Sequence, residues 1–136
     1  MKTKNILFGI LVIASSLTSC KKYPDGPSIS FRSRIERVAN TWKMEQVMLN
    51  GSDVTSNFTN INYTETYDKS ENYSYSSTEV SGSGKWSFEN NDMQIKRQGV
   101  SGQPTLDLTI LRLKENSFWY KYTDGNDNYE FHLVPN

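Results

Sequence analysis

From Trp42 to Val134 the chain repeats one pattern: runs of alternating side chains, each closed by a short polar turn. Trp42, Met44, Gln46 and Met48 alternate with Lys43, Glu45, Val47 and Leu49. Tyr63, Glu65 and Tyr67 share one face, as do Tyr73 and Tyr75, then Trp86 and Phe88. Met93, Ile95 and Arg97 follow, then Leu106, Leu108, Ile110 and Arg112, then Phe118, Tyr120 and Tyr122, then Tyr129, Phe131 and Leu133. A period of two is that of a strand with one buried face. Asn50-Gly51-Ser52-Asp53, Asn90-Asn91-Asp92, Lys114-Glu115-Asn116 and Asp124-Gly125-Asn126-Asp127 supply turn chemistry between the runs, and Gly82-Ser83-Gly84 reads as a flexible joint. Eight such segments with local connections predict an all-β fold, an eight-stranded antiparallel up-and-down barrel. Closure is what removes the exposed edges of such a sheet.

Ahead of the strands, Phe31, Ile35, Val38 and Trp42 fall at helical spacing, with Arg32, Arg34, Glu36 and Arg37 off the stripe. This predicts a short N-terminal helix over 29–40, with the Arg cluster as its solvated side.

The first twenty residues have a different character. Lys2 and Lys4 precede an apolar run from Ile6 to Ala14, broken only by Gly9, and then Ser15, Ser16, Thr18 and Ser19 lead to Cys20. This is the order of a secretory signal, with an apolar run too short for a membrane-spanning helix of about 20 residues. Leu17-Thr18-Ser19-Cys20 resembles the lipobox of bacterial lipoproteins, and Cys20 is the one cysteine of the chain. The resemblance implies a signal peptide over 1–19, removed by cleavage before Cys20, and acylation of Cys20. Residues 20–28, with Pro24, Gly26 and Pro27, read as a lipidated tether, and 29–136 as the folded domain. The membrane is then a partner through the anchor. In Bacteroidota-like lipoproteins, which this segment resembles, acidic residues just after the cysteine go with export to the cell surface; Lys21 and Lys22 stand there instead, so the resemblance implies the periplasmic side of the outer membrane over the cell surface.

Composition excludes more than it selects. One cysteine rules out an intrachain disulfide or a Cys-rich zinc site, and one histidine rules out His-pair metal motifs. Losing Lys2 and Lys4 leaves 13 basic against 15 acidic residues, a net of −2, which gives no basic footprint for nucleic acid. His132 alternates with Phe131 and Leu133 and so faces outward, and no catalytic constellation assembles around it. A non-enzymatic protein without a cofactor is expected.

Asn40-Thr41-Trp42-Lys43-Met44, Gly84-Lys85-Trp86-Ser87-Phe88 and the stretch Leu106 to Asp124 together resemble the lipocalin-like lipoproteins of Bacteroidota over roughly residues 35–134. Asn40 stands where the family's first-strand motif carries Gly. The resemblance implies a barrel closed at one end by the first-strand Trp42, with a basic side chain from a late strand packed across it. Strand phase makes Arg112 the first choice for that contact and Arg97 the second. Either arginine plugs the floor or holds an anionic headgroup. The inward rings, Trp42, Tyr73, Tyr75, Trp86 and Tyr120 among them, either line a pocket for a small apolar or amphipathic ligand or fill the barrel. In the second case the protein is an interaction module, an envelope-complex subunit or inhibitor acting through its outer surface.

Overall fold

The structure, a computed structural model, describes residues 22–26 and 30–136. The signal segment 1–19 and Cys20 lie outside the described residues. The alternating segments form β1 (Asn40–Leu49), β3 (Thr64–Tyr67), β4 (Asn72–Ser76), β5 (Ser81–Glu89), β6 (Gln94–Gln98), β7 (Leu106–Lys114), β8 (Ser117–Asp124) and β9 (Asp127–Pro135). These eight pair antiparallel in chain order, and β1 also pairs with β9 from Trp42↔Pro135 to Leu49↔Tyr129. That last ladder closes the barrel. An extra two-residue strand, β2 (Ser52–Asp53), folds back on Met48 and Leu49.

The helix expected over 29–40 does not form. Only Arg34–Val38, α1, is helical, and β1 begins at Asn40. The reason is local. Ser33 and Glu36 make a capping box, each side chain bonding the other's backbone N–H, which starts the helix after Phe31. Phe31 is left fully exposed, while Val38 and Trp42 are buried and Ile35 is half-buried.

Two β-bulges shift strand phase. Between Met44 and Gln46 the β1 register against β9 slips by one residue, so Met44 faces Leu133 inside and Val47, not Gln46, meets Phe131. Between Ile110 and Arg112 the β7 register against β8 slips likewise, so Ile110 opposes Tyr120 but Arg112 opposes Trp119. The expectation that Arg112 points inward onto Trp42 is therefore wrong. One inserted residue, Leu111, turns the second half of β7 over, and Leu113 takes the inward place. Arg112 lies on the outer wall with its guanidinium 3.8 Å from the Trp119 ring, and its Nε donates to the Asp25 carbonyl at 2.8 Å. Reversal to Glu is expected to cost about 1 kcal/mol or less in urea denaturation, the range of an exposed cation–π contact. A loss of several kcal/mol would return Arg112 to the core.

The described part of the tether is docked on this outer wall. Asp25 N–H donates to the Leu111 carbonyl at 2.9 Å, at the bulge. The Tyr23 ring is buried, and its hydroxyl donates to the Asp92 carbonyl at 2.9 Å. Burial, its largest cause, pushes the Tyr23 phenol up to about 12.

Gly82 and Gly84 are not a flexible joint but part of β5. A Cβ on Gly84 would meet the Gln98 carbonyl and come within 2.9 Å of Val100 Cγ2. A Cβ on Gly82 would fall 2.6 Å from Cε1 of Tyr75. The glycines serve close packing, so Gly84→Ala is expected to lower stability by about 1–3 kcal/mol, read from the thermal midpoint.

Candidate functional site

Charge enters the barrel on β3. Glu65 and Tyr67 share its inner face, in phase with Tyr63 just ahead of it, and this sets a carboxylate among rings. Glu65 is 1% exposed, and Arg97, from the inner face of β6, is 7% exposed. Arg97 Nη1 donates to Glu65 Oε1 at 2.8 Å and to the Tyr73 hydroxyl at 2.8 Å. Tyr120 (2.7 Å) and Tyr63 (2.8 Å) donate their hydroxyls to the same carboxylate oxygen, and Tyr67 donates to Oε2 at 2.8 Å. The guanidinium also lies over the Tyr73 ring at 4.7 Å and the Tyr120 ring at 5.5 Å. A buried ion pair persists only where further hydrogen bonds satisfy it, and four tyrosines do so here.

The electrostatics follow from this enclosure. Burial first, and the Glu65 carboxylate second, raise the Tyr63, Tyr67, Tyr73 and Tyr120 phenols well above their ordinary value. They therefore stay protonated, and Tyr63, Tyr67 and Tyr120 keep donating to Glu65. Burial works against the Arg97 charge, but the oxygens of Tyr67, Glu65, Tyr120 and Tyr73 outweigh it and raise its pKa.

Rings fill the rest of the interior. Trp42 meets Phe118 at 5.8 Å, Phe118 meets Tyr67 at 5.7 Å and Tyr120 at 5.3 Å, and Tyr67 meets Trp86 edge-on at 5.7 Å. Trp42 Nε1 donates to the Val38 carbonyl, and Trp86 Nε1 to the Asp68 carbonyl. Of the side chains expected to line a central pocket, Tyr73, Arg97 and Tyr120 belong to the ion-pair cluster, while Trp42 and Trp86 are packing. Tyr75 stacks on Tyr63 at 6.1 Å and its hydroxyl accepts from Gln103. Arg112 is on the other side of the wall. Glu65 was not anticipated as a site residue, although a lone carboxylate in phase with two tyrosines was the signal for it.

A concavity lies beside the cluster, in the wall. Pairing of β1 with β3 ends at Lys43↔Thr64, and β2 covers only Met48 and Leu49. The segment between β2 and β3 spans the gap, held by Val54 N–H to the Val47 carbonyl and by Val47 N–H to Thr55 Oγ1. Asp53 fixes Thr55 through its backbone N–H (2.9 Å) and hydroxyl (2.6 Å), and these bonds together with that of Gln46 hold the Asp53 carboxyl down at about 2. The result is a cleft of about 500 Å³, with Met44, Phe58 and Tyr63 as its apolar part and Thr55, Thr59 and Thr64 as hydroxyls. Exposed Lys43 and Glu45 also line it. Tyr63 thus presents its ring to the cleft while its hydroxyl reaches the buried carboxylate.

The outer wall carries a second stack. His132 lies parallel to Trp119 at 3.9 Å, and its Nε2 is 2.7 Å from the Glu130 carboxylate. The histidine does point outward but is covered by the indole rather than left open to solvent.

Comparison with known protein families finds no family model that matches this chain, and no curated protein matches it either. Among the described residues no group of three or more His, Cys, Asp or Glu side chains is placed to hold a metal ion, and no helix is long and apolar enough to cross a membrane.

Proposed function

We propose that this chain is a lipid-anchored, lipocalin-like protein of the outer membrane, non-enzymatic, which binds one small amphipathic ligand in the wall cleft between β1 and β3. The observation that carries the reading is the cleft itself. Its volume of about 500 Å³ lies in the range of small-molecule sites, about 300–1,000 Å³. Met44, Phe58 and Tyr63 offer an apolar bed, and Lys43 with Glu45 offers charges of both signs to a polar head. The centre, filled by Glu65, Arg97 and their tyrosines, has the role of a scaffold that fixes Tyr63. The lipobox-like Leu17-Thr18-Ser19-Cys20 supports the anchor, and Lys21 with Lys22 behind it supports the periplasm-facing placement.

Mass spectrometry of organic extracts from the purified domain tests the binding reading. A small amphipathic molecule is expected from the parent protein and not from Thr59→Trp, which fills the cleft from the β2–β3 segment and leaves every strand residue unchanged. Equal recovery from both, or none from either, overturns it. Cys20→Ser is expected to release the protein from membranes into the soluble fraction, and persistent membrane association would refute the anchor.

The packed interior favours a second reading, an interaction module that acts through its outer surface. In that case Thr59→Trp leaves function unchanged, and substitutions around Trp119 and His132 abolish partner capture.

A further inference from the structure

We infer that the end of the barrel carrying α1 is a membrane-contact surface that holds the domain in one orientation, with Phe31 inserted at the bilayer interface. The inference rests on the lipid anchor proposed at Cys20. Its geometric basis is separate.

The tether leaves little slack. Lys22 bonds the Asn91 carbonyl in the β5–β6 turn, Tyr23 is buried beside the same turn, and Asp25 is tied to the β7 bulge. Between Cys20 and the buried Tyr23 three residues reach at most about 11 Å. An acyl chain on Cys20 therefore keeps the β5–β6 turn close to the headgroups. A free tether would let the barrel tumble, whereas a tether docked from Tyr23 onward does not.

Phe31 emerges at that same end. It is fully exposed, ahead of the Ser33 cap, and its neighbour Arg32 pairs with Glu115 of the β7–β8 turn at 3.2 Å. Arg34 pairs with Asp92 of the β5–β6 turn. The helix, both turns and the start of the tether thus share one end, and the β8–β9 turn at Gly125 is at the other by strand direction. Among the described residues Phe31 and Val80 are the large apolar side chains left exposed, and Val80 sits in the β4–β5 connection at the far end. A ring that would otherwise sit in water beside a lipid attachment point is suited to the headgroup–acyl boundary. Three ion pairs neutralise charge at this end: Arg32 with Glu115, Arg34 with Asp92, and Lys69 with Glu36 at 3.7 Å. Insertion is carried by the ring, so quenching of a probe at position 31 does not depend on anionic lipid.

The experiment uses the full-length chain purified from membranes and placed in phosphatidylcholine vesicles with brominated acyl chains, which quench indole emission on contact. Phe31→Trp is the probe, and Asn126→Trp, at the far end, is the control, each read against the parent. The expected result is loss of most of the added emission for the Phe31→Trp protein and little loss for the Asn126→Trp protein, with or without anionic lipid. Vesicle-bound protein with both probes quenched alike, or neither, overturns the orientation and leaves the anchor standing. Protein that lacks acylation at Cys20 and stays with the supernatant overturns both.

Discussion

Replacement of Arg97 by Met is expected to cost about 3–5 kcal/mol, the usual penalty for removing one partner of a buried ion pair. Equilibrium unfolding in urea reads it directly. The size follows from what remains. Glu65 is 1% exposed, so without the guanidinium its carboxylate keeps only phenol donors in an apolar interior. The Tyr73 hydroxyl loses its bond to Nη1, and the cation over the Tyr73 and Tyr120 rings disappears. The double change Arg97→Met with Glu65→Leu removes both charges and is expected to recover part of the loss. Recovery stays incomplete because Tyr63, Tyr67 and Tyr120 then have no carboxylate to bond. A loss under about 1 kcal/mol for Arg97→Met would mean that the pair is hydrated and that the barrel centre is open.

Alkaline unfolding is the second large effect. Tyr63, Tyr67, Tyr73 and Tyr120 have folded-state pKa values raised above 10.0, chiefly by burial and then by Glu65. Folding therefore favours the protonated phenols. The stability they add is fully present below the unfolded value near 10.0 and is lost progressively as pH rises toward the folded values. Absorbance at the phenolate band, followed with circular dichroism, is expected to show these four ionising together with loss of the barrel, as one cooperative step above about pH 10. Tyr120→Phe leaves one phenol fewer in that step. Smooth ionisation of all the tyrosines near pH 10 with the fold intact would contradict an enclosed cluster.

Much of this architecture is legible in the alternation of side chains. Turn residues such as Asn90-Asn91-Asp92 and Asp124-Gly125-Asn126-Asp127 mark the strand ends, and the rings mark the inner face. Phase within a strand is another matter. Around Leu111, aliphatic residues occupy Ile110, Leu111 and Leu113, so the run reads the same with or without an inserted residue, and Arg112 falls on either face. The same holds at Glu45, where Val47 and Leu49 are as apolar as Met44 and Met48. Only the partner strands decide, since Trp119 and Phe131 must meet residues on their own side.

The helix is shorter than the apolar spacing predicts because Phe31 keeps the spacing of Ile35 and Val38 without joining the helix. Ser33 and Glu36, three residues apart, already carried the capping signature that starts the helix later. Gly82 and Gly84 show the opposite case, in which residues associated with mobility are needed for the approach of Tyr75 and Gln98. The ion pair was half visible: Arg97 was in phase with Met93 and Ile95, and Glu65 with Tyr63 and Tyr67. Their meeting across the barrel is a property of closure, which no single strand encodes. The wall cleft depends on where β3 parts from β1 and is likewise a consequence of register.

The most direct test of a filled centre with a lateral site is nuclear magnetic resonance of the purified domain, residues 22–136, titrated with dihexanoylphosphatidylcholine, a zwitterionic amphiphile. Shifts are expected at the Met44 methyl and at the Phe58 and Tyr63 rings, with the Trp42 and Trp86 indole N–H signals and the Tyr120 ring unmoved. Shifts centred on Trp86 and Tyr120, or no shift at the cleft, would contradict it.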